Sequence, residues 1–210
     1  MATRVLSLLL RHGQSTWNAE GRWQGWSDPP LSDLGRAQAR EAGRRLARAG
    51  LTAVVASDLT RARDTAEILL AALDAGHRLH IEPDLREYDV GDWEGLLREE
   101  IERRWSEELA EWGQGRLRQT PGGETRAHFN DRVRAALARV AGEEALGDAP
   151  VVVTHGGVIR AAEQLSGAER SASVGNLAGR WFLVDARGSV VAGDLVNLLD
   201  PSQETVPPSL

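Results

Sequence analysis

The sequence predicts an α/β fold, a three-layer α/β/α sandwich with a mostly parallel central sheet. Short apolar segments are continuous rather than alternating, which suits strands buried on both faces, and longer segments with helical periodicity separate them. Strands that alternate with helices favour parallel pairing. Ligands of such sheets bind beyond the carboxyl ends of the strands, so the residues that follow each strand are candidates for a functional site.

The individual elements follow from the same patterns. Buried strands are predicted at residues 5–10, 53–56 and 151–154, and a hairpin is predicted from 180–184 and 190–196 around Arg187-Gly188. Helices are predicted near Thr16, over 32–49 with Ser32 as N-cap, from after Ser57-Asp58 to about 73, over 98–112 and 124–144, and shortly after Gly157. If Asp58 is the N-cap of its helix, Arg61 lies in the first turn, close to the end of a strand.

The composition favours one soluble globular domain. Of 210 residues, 41% are hydrophobic and 27% charged, and we expect a single domain over 1–200 with a flexible tail over 201–210. With a net charge of −6 and no basic segment, neither nucleic acid nor a membrane is an expected partner. The apolar segment after Met1 is too short for a signal peptide or a membrane span, and a cytoplasmic location is expected.

Two residue types are missing, and their absence excludes several chemistries. The chain has no cysteine, which excludes a cysteine nucleophile, a thiolate zinc site and a disulfide framework. All 25 Lys+Arg residues are arginine, which excludes a Walker phosphate loop and a Schiff-base lysine. Any anion must therefore be bound by arginine, whose planar guanidinium matches the paired oxygens of a phosphate.

Two histidines follow predicted buried strands directly. Arg11-His12-Gly13 comes after the first strand and is followed by the polar residues Ser15, Thr16 and Asn18, while His155-Gly156-Gly157 comes after residues 151–154. A glycine beside each histidine lets the backbone approach a ligand closely. A structural imidazole in a tight turn is the alternative interpretation of each position.

Two charged segments are further candidates. An arginine in the first turn of a helix is disfavoured by the helix dipole, and an anion bound beside Arg61 would offset that cost. Arg63 is interpreted as a solvent-facing charge. The loop over 85–95 carries several acids, of which Asp89, Asp92 and Glu94 are interpreted as turn or structural residues.

Taken together, the motifs resemble those of the histidine phosphatase superfamily, also called phosphoglycerate mutase-like, and its phosphatase branch in particular. The matching segments are Arg11-His12-Gly13 with Thr16 and Asn18, Ser57 to Arg61 to Thr65-Ala66, the Glu87 loop, Pro121-Gly122-Gly123-Glu124, and His155-Gly156. They occur in family order over nearly the whole chain. Gln14 departs from the pattern, since many members have Glu there.

The resemblance implies a metal-independent phosphomonoesterase without a cofactor, acting on a small phosphorylated metabolite. His12 would become phosphohistidine, and Glu87 would be the general acid and base. The implied ligands of the phosphoryl oxygens are Arg11, Asn18, Gln24, Arg61, His155 and Gly156. Neighbouring cations should keep His12 neutral for attack, whereas His155 should be protonated with the help of bound phosphate.

Several alternatives stay open. Phosphoryl transfer between hydroxyls, as in a phosphoglycerate mutase, is the first, although the sequences around Gly157 and Tyr88 resemble the phosphatase branch. An inactive phosphoryl-binding module is more remote. The chain lacks the Gly-x-Ser-x-Gly segment that a serine esterase requires, and it has no local pattern of metal ligands for metal-dependent hydrolysis.

The rest of the substrate is expected to meet the segment 95–120 and the loop 23–30. Arg103, Arg104, Arg116 and Arg118 are candidate contacts there, although helix charges of this kind are usually solvated. Four tryptophans adjoin the motifs, with either a pocket or a core role, namely Trp17, Trp23, Trp26 and Trp93. His77, His80 and His128 are interpreted as surface or structural residues, and sheet edges leave a homodimer open.

Overall fold

One six-stranded sheet is found in the computed structural model, which describes residues 4–73, 78–200, 202, 204 and 205. Its strands are β1 (Arg4–Arg11), β2 (Val54–Ala56), β3 (Leu79–Ile81), β4 (Val151–Thr154), β5 (Ala178–Asp185) and β6 (Val190–Asn197). They lie in the order β3-β2-β4-β1-β5-β6. The strands from β3 to β1 pair in parallel, and β5 and β6 continue the sheet in antiparallel pairing.

The helices are α1 (Thr16–Glu20), α2 (Asp33–Leu46), α3 (Thr60–Leu70), α4 (Arg98–Arg104), α5 (Ser106–Gly113), α6 (Arg126–Gly142) and α7 (Gly156–Ser166). Side chains of α2 and α3 pack with Leu8, Leu10 and Val153 on one face of the sheet. Side chains of α6 and α7 pack with Leu9 and Val152 on the other face. Because alternate residues of β1 and β4 are buried on opposite faces, the predicted three-layer α/β/α arrangement is confirmed.

Most predicted elements are present, with ends that differ by up to three residues. The segment 98–112 is the exception, because Trp105 leaves the helical region (φ −142°, ψ 54°) and divides it into α4 and α5. No glycine or proline in that segment marks the break. Strand β3 was not predicted, since its three residues form a short, half-exposed edge that pairs only with β2 within the described sheet.

The predicted N-cap of α3 is wrong. Leu59 occupies the N-cap position, and Asp58 instead accepts two hydrogen bonds from Arg86, at 2.7 and 2.5 Å. Asp28, distant in the sequence, accepts hydrogen bonds from the amide and the hydroxyl of Thr60, both at 2.7 Å. A capping carboxylate is thus present at this helix end, but a loop and not the adjoining residue supplies it.

Two predictions fall largely on residues that the structure does not describe. His77 lies outside the described residues, as does most of the predicted tail 201–210. Thr205, within that tail, donates a hydrogen bond to Asn176 Oδ1 at 2.8 Å and accepts one from Gln38 at 3.1 Å. The flexibility of the other tail residues stays a prediction. In the described part of the chain, no helix combines the length and the apolar character needed to cross a membrane.

Candidate active site

Parallel pairing of β1 with β4 brings the two strand-end histidines together. Arg11 pairs with Thr154 in the sheet, and the amide of His12 donates to the carbonyl of Thr154 at 3.0 Å. The rings of His12 and His155 therefore lie side by side, with centroids 5.2 Å apart. Both residues are buried, with 2% and 0% exposure.

His12 is fixed in one tautomer by its own turn. Its Nδ1 lies 2.7 Å from the carbonyl oxygen of Gly13. A carbonyl only accepts hydrogen bonds, so Nδ1 carries the proton and Nε2 has a free lone pair. The backbone of this turn is held in place by Thr65, which accepts from the amide of Gly13 at 3.0 Å, and by Asn176, which donates to the carbonyl of His12 at 2.9 Å.

His155 has one ring nitrogen without a partner. Its Nε2 lies 3.0 Å from Ser57 Oγ, at the end of β2, while its buried Nδ1 has no hydrogen-bond partner. Burial lowers the pKa of both His12 and His155 well below the usual 6.5, and the nearby charge of Arg61 lowers both pKa values further. Both imidazoles are therefore neutral near pH 7 when no anion is bound.

Two buried guanidinium groups flank the imidazoles. Arg61, in the first turn of α3, donates to the carbonyls of Ser27 and Gly25, both at 2.8 Å, and Arg11 donates to the carbonyl of Val174 at 2.6 Å. Burial lowers the pKa of each arginine to about 10, partly offset by the charge of Glu87, so both stay cationic at neutral pH. Each keeps a buried Nε without a partner.

Glu87 lies in the same pocket with its carboxylate held by two amides. Its Oε1 accepts from the amide of Tyr88 at 2.8 Å, and its Oε2 accepts from the amide of Gly157 at 3.1 Å. A Cβ atom on Gly157 would collide with Oε1, so a larger residue there would displace the carboxylate from this position.

We call the space between these side chains the histidine pocket. It is lined by Arg11, His12, Asn18, Arg22, Trp23, Gln24, Arg61 and Glu87. Asn18 and Gln24 are joined through Ser15, whose hydroxyl donates to Gln24 Oε1 at 2.7 Å and accepts from the amide of Asn18 at 3.0 Å. The ideal Cβ position of Gly156 is 3.7 Å from Arg11 Nη1. All the site residues predicted from the sequence thus converge at one end of the sheet, whereas Arg22 was not predicted.

Arg132 is a buried residue that sequence reasoning missed. Its Nη2 donates to the carbonyl of Glu87 at 2.7 Å and to Glu124 Oε1 at 2.6 Å, and its Nη1 donates to the carbonyls of Asp84 and Arg86 at 2.8 and 2.7 Å. Glu124 belongs to a motif identified by resemblance, but its partner eight residues later has no local signature. The pair fixes the backbone that carries Glu87.

A second cavity begins at Glu87, and we call it the arginine cleft. Its volume is about 410 Å³. It is lined by Glu87, Tyr88, Trp112, Gly115, Arg126, Phe129, Asn130, Gly157, Arg160, Ala161, Gln164, Gly167, Ala168 and Arg170. The four arginines predicted as substrate contacts do not line it. Arg103, Arg104, Arg116 and Arg118 are instead exposed, and this segment contributes Trp112 and Gly115 to the cleft.

The tryptophans divide between core and surface. Trp23 and Trp93 are buried, with ring centroids 5.3 Å apart, and Trp23 also lines the histidine pocket. Trp26 is 38% exposed, and its indole nitrogen donates to the carbonyl of Glu87 at 2.8 Å. Trp17 is half-buried beside Gly95. Within the described residues, no cluster of three or more His, Asp or Glu side chains could hold a metal ion.

Comparisons with known proteins agree with the sequence motifs. Residues 7–172 match the family model of the histidine phosphatase superfamily (branch 1). A Salmonella paratyphi B protein named "Probable phosphoglycerate mutase GpmB" is 42% identical over 153 residues, which is 70% of this chain and 68% of that protein. A structure of the mycobacterial glucosyl-3-phosphoglycerate phosphatase with VO3 is 29% identical with a TM-score of 0.80, covering 92% of this chain and 99% of that one.

A phosphoglycerate mutase from Bacillus anthracis has the same fold. Its TM-score is 0.79 over 94% of this chain and 95% of that one, at 24% identity. The phosphoglycerate mutase-like fold predicted from the sequence is thereby confirmed.

Proposed function

The chain belongs to the histidine phosphatase superfamily, and on that premise we propose that it is a phosphatase that hydrolyses a small phosphomonoester through a phosphohistidine on His12. One observation carries the proposal, namely two neutral imidazoles whose centroids are 5.2 Å apart between two cationic, buried guanidinium groups. A neutral imidazole with a free Nε2 is a nucleophile, and fixed cations stabilise the charge on the phosphoryl oxygens.

In the first step, His12 Nε2 forms a bond to phosphorus while the bond from phosphorus to the alcohol oxygen breaks. Glu87 enters this step as the neutral carboxylic acid, gives its proton to the departing oxygen and is left as the carboxylate. In the second step, water attacks phosphorus, Glu87 takes a proton from that water, and the bond from phosphorus to Nε2 breaks. Arg11 and Arg61 stay cationic throughout and bind the three phosphoryl oxygens, in the manner that phosphoryl transfer requires.

The position of Glu87 supports its role as proton donor. It is the only carboxylate among the residues that line the histidine pocket, and it also lines the arginine cleft. An ester phosphate bound beside His12 would place its alcohol where the two cavities meet. His155 would gain a proton as the phosphate dianion binds, because a nearby anion raises the pKa of an imidazole.

Trapping the covalent intermediate tests the proposal. Enzyme mixed with a labelled phosphomonoester and quenched with alkali should carry one label per chain, stable to base and released by acid. The variant His12→Ala should carry none and should lose at least about 10⁴-fold in turnover. His128→Ala, which changes an exposed histidine on α6, is the matched control and should label like the unmodified protein. Label on the His12→Ala variant would contradict the proposal.

A second candidate function is phosphoryl transfer between hydroxyls, and the name of the 42% identical relative favours it. The two functions differ in what accepts the phosphoryl group from His12. Incubation with 3-phosphoglycerate distinguishes them: a phosphatase releases inorganic phosphate, whereas a mutase forms 2-phosphoglycerate with little phosphate release. We expect phosphate release from a panel of phosphomonoesters.

A further inference from the structure

The arginine cleft is strongly cationic on the side of Glu87 away from His12. Three arginines line it, Arg126, Arg160 and Arg170, and Glu87 is the only acid among its lining residues. Its aromatic wall is formed by Tyr88, Trp112 and Phe129. A cavity of about 410 Å³ is large enough for a small organic group.

Arg160 is the unusual member of this set. It lies on α7 and is only 5% exposed, yet its buried Nε has no partner. No hydrogen bond or ion pair of the Arg160 side chain is found in the part of the chain that the structure describes. Burying a guanidinium group without an anion is unfavourable, so buried arginines normally have a partner within the fold.

The carboxylates near Arg160 are already engaged by other groups. Both oxygens of Glu87 accept backbone amides, from Tyr88 and Gly157. The buried carboxylate of Glu163 accepts from the amide and hydroxyl of Ser171, at 2.8 and 2.6 Å, and lies 3.3 Å from Arg180. The fold therefore leaves the positive charge of Arg160 without a direct anionic partner.

The other two arginines of the cleft differ from Arg160 in their contacts. Arg126 stacks on the ring of Trp112 at 4.0 Å and donates to the carbonyl of Leu117 at 2.6 Å. Arg170 is exposed at the rim. Arg160 also lines an adjoining cavity of about 360 Å³, together with Arg98 and Arg170, so its side chain borders open space on more than one side.

We propose that the arginine cleft is an oxyanion subsite, in which Arg160 binds a second acidic group, a carboxylate or a phosphoryl group, on the alcohol portion of the substrate. The inference rests on the proposed function, because it places that alcohol on the Glu87 side of the histidine pocket. Arg160 makes a bidentate contact with the second group, and Arg126 and Arg170 add positive charge. The substrate class is thereby narrowed to phosphomonoesters with two anionic groups.

A binding experiment that needs no turnover tests the subsite. The probes are 3-phosphoglycerate and glycerol 3-phosphate, which differ in one group, a carboxylate against a neutral hydroxymethyl. Calorimetry with the His12→Ala variant should show that 3-phosphoglycerate binds at least about tenfold more tightly. Adding Arg160→Met should reduce this preference to less than about threefold, because methionine keeps an apolar stem of similar length without the charge.

The matched control is Arg134→Met on the same background, since Arg134 is an exposed arginine of α6 beside Gly188. It should keep the full preference for 3-phosphoglycerate. Equal binding of the two probes, binding of neither, or a preference that survives Arg160→Met would overturn the subsite. Turnover is measured separately with unmodified His12: if no phosphate is released although the binding preference is present, the proposed function fails and the subsite stands.

Discussion

The histidine pocket and the arginine cleft share Glu87, but different parts of the fold form them. The pocket is formed by residues that follow β1, β2, β3 and β4 in the chain, and Arg11 and Arg61 are fixed there by hydrogen bonds to backbone carbonyls. The cleft is lined by side chains of α5, α6 and α7, and its arginines have few partners. Under the proposed function, the sheet would fix the position of the phosphoryl group, while the helices would set what else a substrate can contain.

Arg132 and Arg160 show the difference at the level of one residue type. They are similarly buried, at 8% and 5% exposure. Arg132 makes its hydrogen bonds within the fold, to Glu124 and to three backbone carbonyls of the Glu87 loop. The side chain of Arg160 makes none within the described chain. A buried arginine with partners supports the structure, and one without partners is a candidate to bind a ligand.

Among the changes that compare the two regions, the largest effect is expected at Glu87, the residue that they share. Glu87→Gln should lower kcat by about 10²- to 10⁴-fold for alkyl phosphates, because the alcohol then leaves without a proton. Aryl phosphates such as p-nitrophenyl phosphate need less protonation and should lose much less. Steady-state kinetics on both ester types measure the difference, and an equal loss on both would show that Glu87 is not the proton donor.

Removing Arg132 should have the next largest effect, on stability. Arg132→Met leaves the carboxylate of Glu124 buried without its main partner, and we expect a loss of about 3–5 kcal/mol in the free energy of unfolding. Urea denaturation measures the loss. Arg134→Met, two positions further along α6 and exposed, should change the free energy by less than about 0.5 kcal/mol.

Mild acid should destabilise the protein through the histidine pocket. The pKa values of His12 and His155 are lowered in the folded state, so below about pH 6.5 the unfolded chain binds protons that the folded chain does not. Stability is therefore full above pH 6.5 and falls as the pH decreases, by up to about 1.4 kcal/mol per pH unit for each histidine.

Urea denaturation between pH 7.5 and 5.5 measures this slope. The variant His155→Asn should show a shallower slope, because one of the two groups that take up protons on unfolding is gone. Inorganic phosphate should reduce the slope as well, since a bound dianion favours the protonated imidazole in the folded state. A slope unchanged by both would mean that the two histidines do not cause the acid sensitivity.

The smallest effect on stability is expected for Arg160→Met, and it tests the contrast between Arg132 and Arg160. Arg160→Met should leave the free energy of unfolding unchanged or raise it by up to about 2 kcal/mol, because an unpaired buried charge is replaced by an apolar side chain. The same denaturation series as for Arg132→Met measures it. A loss comparable to that of Arg132→Met would show that Arg160 has a structural partner, and the contrast would fail.

The histidine pocket could be predicted from the sequence more fully than the arginine cleft, because different parts of the fold form them. His12 and His155 could be located because each directly follows a buried strand, and the carboxyl ends of parallel strands lie at the same end of the sheet. Glu87 lies in a loop with several acids, so spacing alone did not distinguish it, and the resemblance to a family did. The pairing of Asp58 with Arg86 was missed because a residue before a helix is more often its cap.

The arginine cleft was not predicted because its lining depends on how helices pack. Arg160 lies within α7, where an arginine has the same local pattern whether it is solvated or buried. The arginines that the sequence suggested, such as Arg103 and Arg116, are exposed, whereas Trp112 and Gly115 of the same region line the cleft. Long-range packing, which no local periodicity encodes, decides which of these charges lines the cavity.

The hydrogen bonds of Thr205 have a practical consequence for handling the protein. Thr205 holds Asn176 on two sides, through its hydroxyl and its carbonyl, and Asn176 in turn holds the carbonyl of His12. Thr205, in the segment expected to be a flexible tail, is thus connected to the backbone of His12 through one intervening residue, Asn176. A truncation that removes the last six residues, 205–210, takes both of these hydrogen bonds from Asn176, and the carbonyl of His12 is then held by a less constrained side chain.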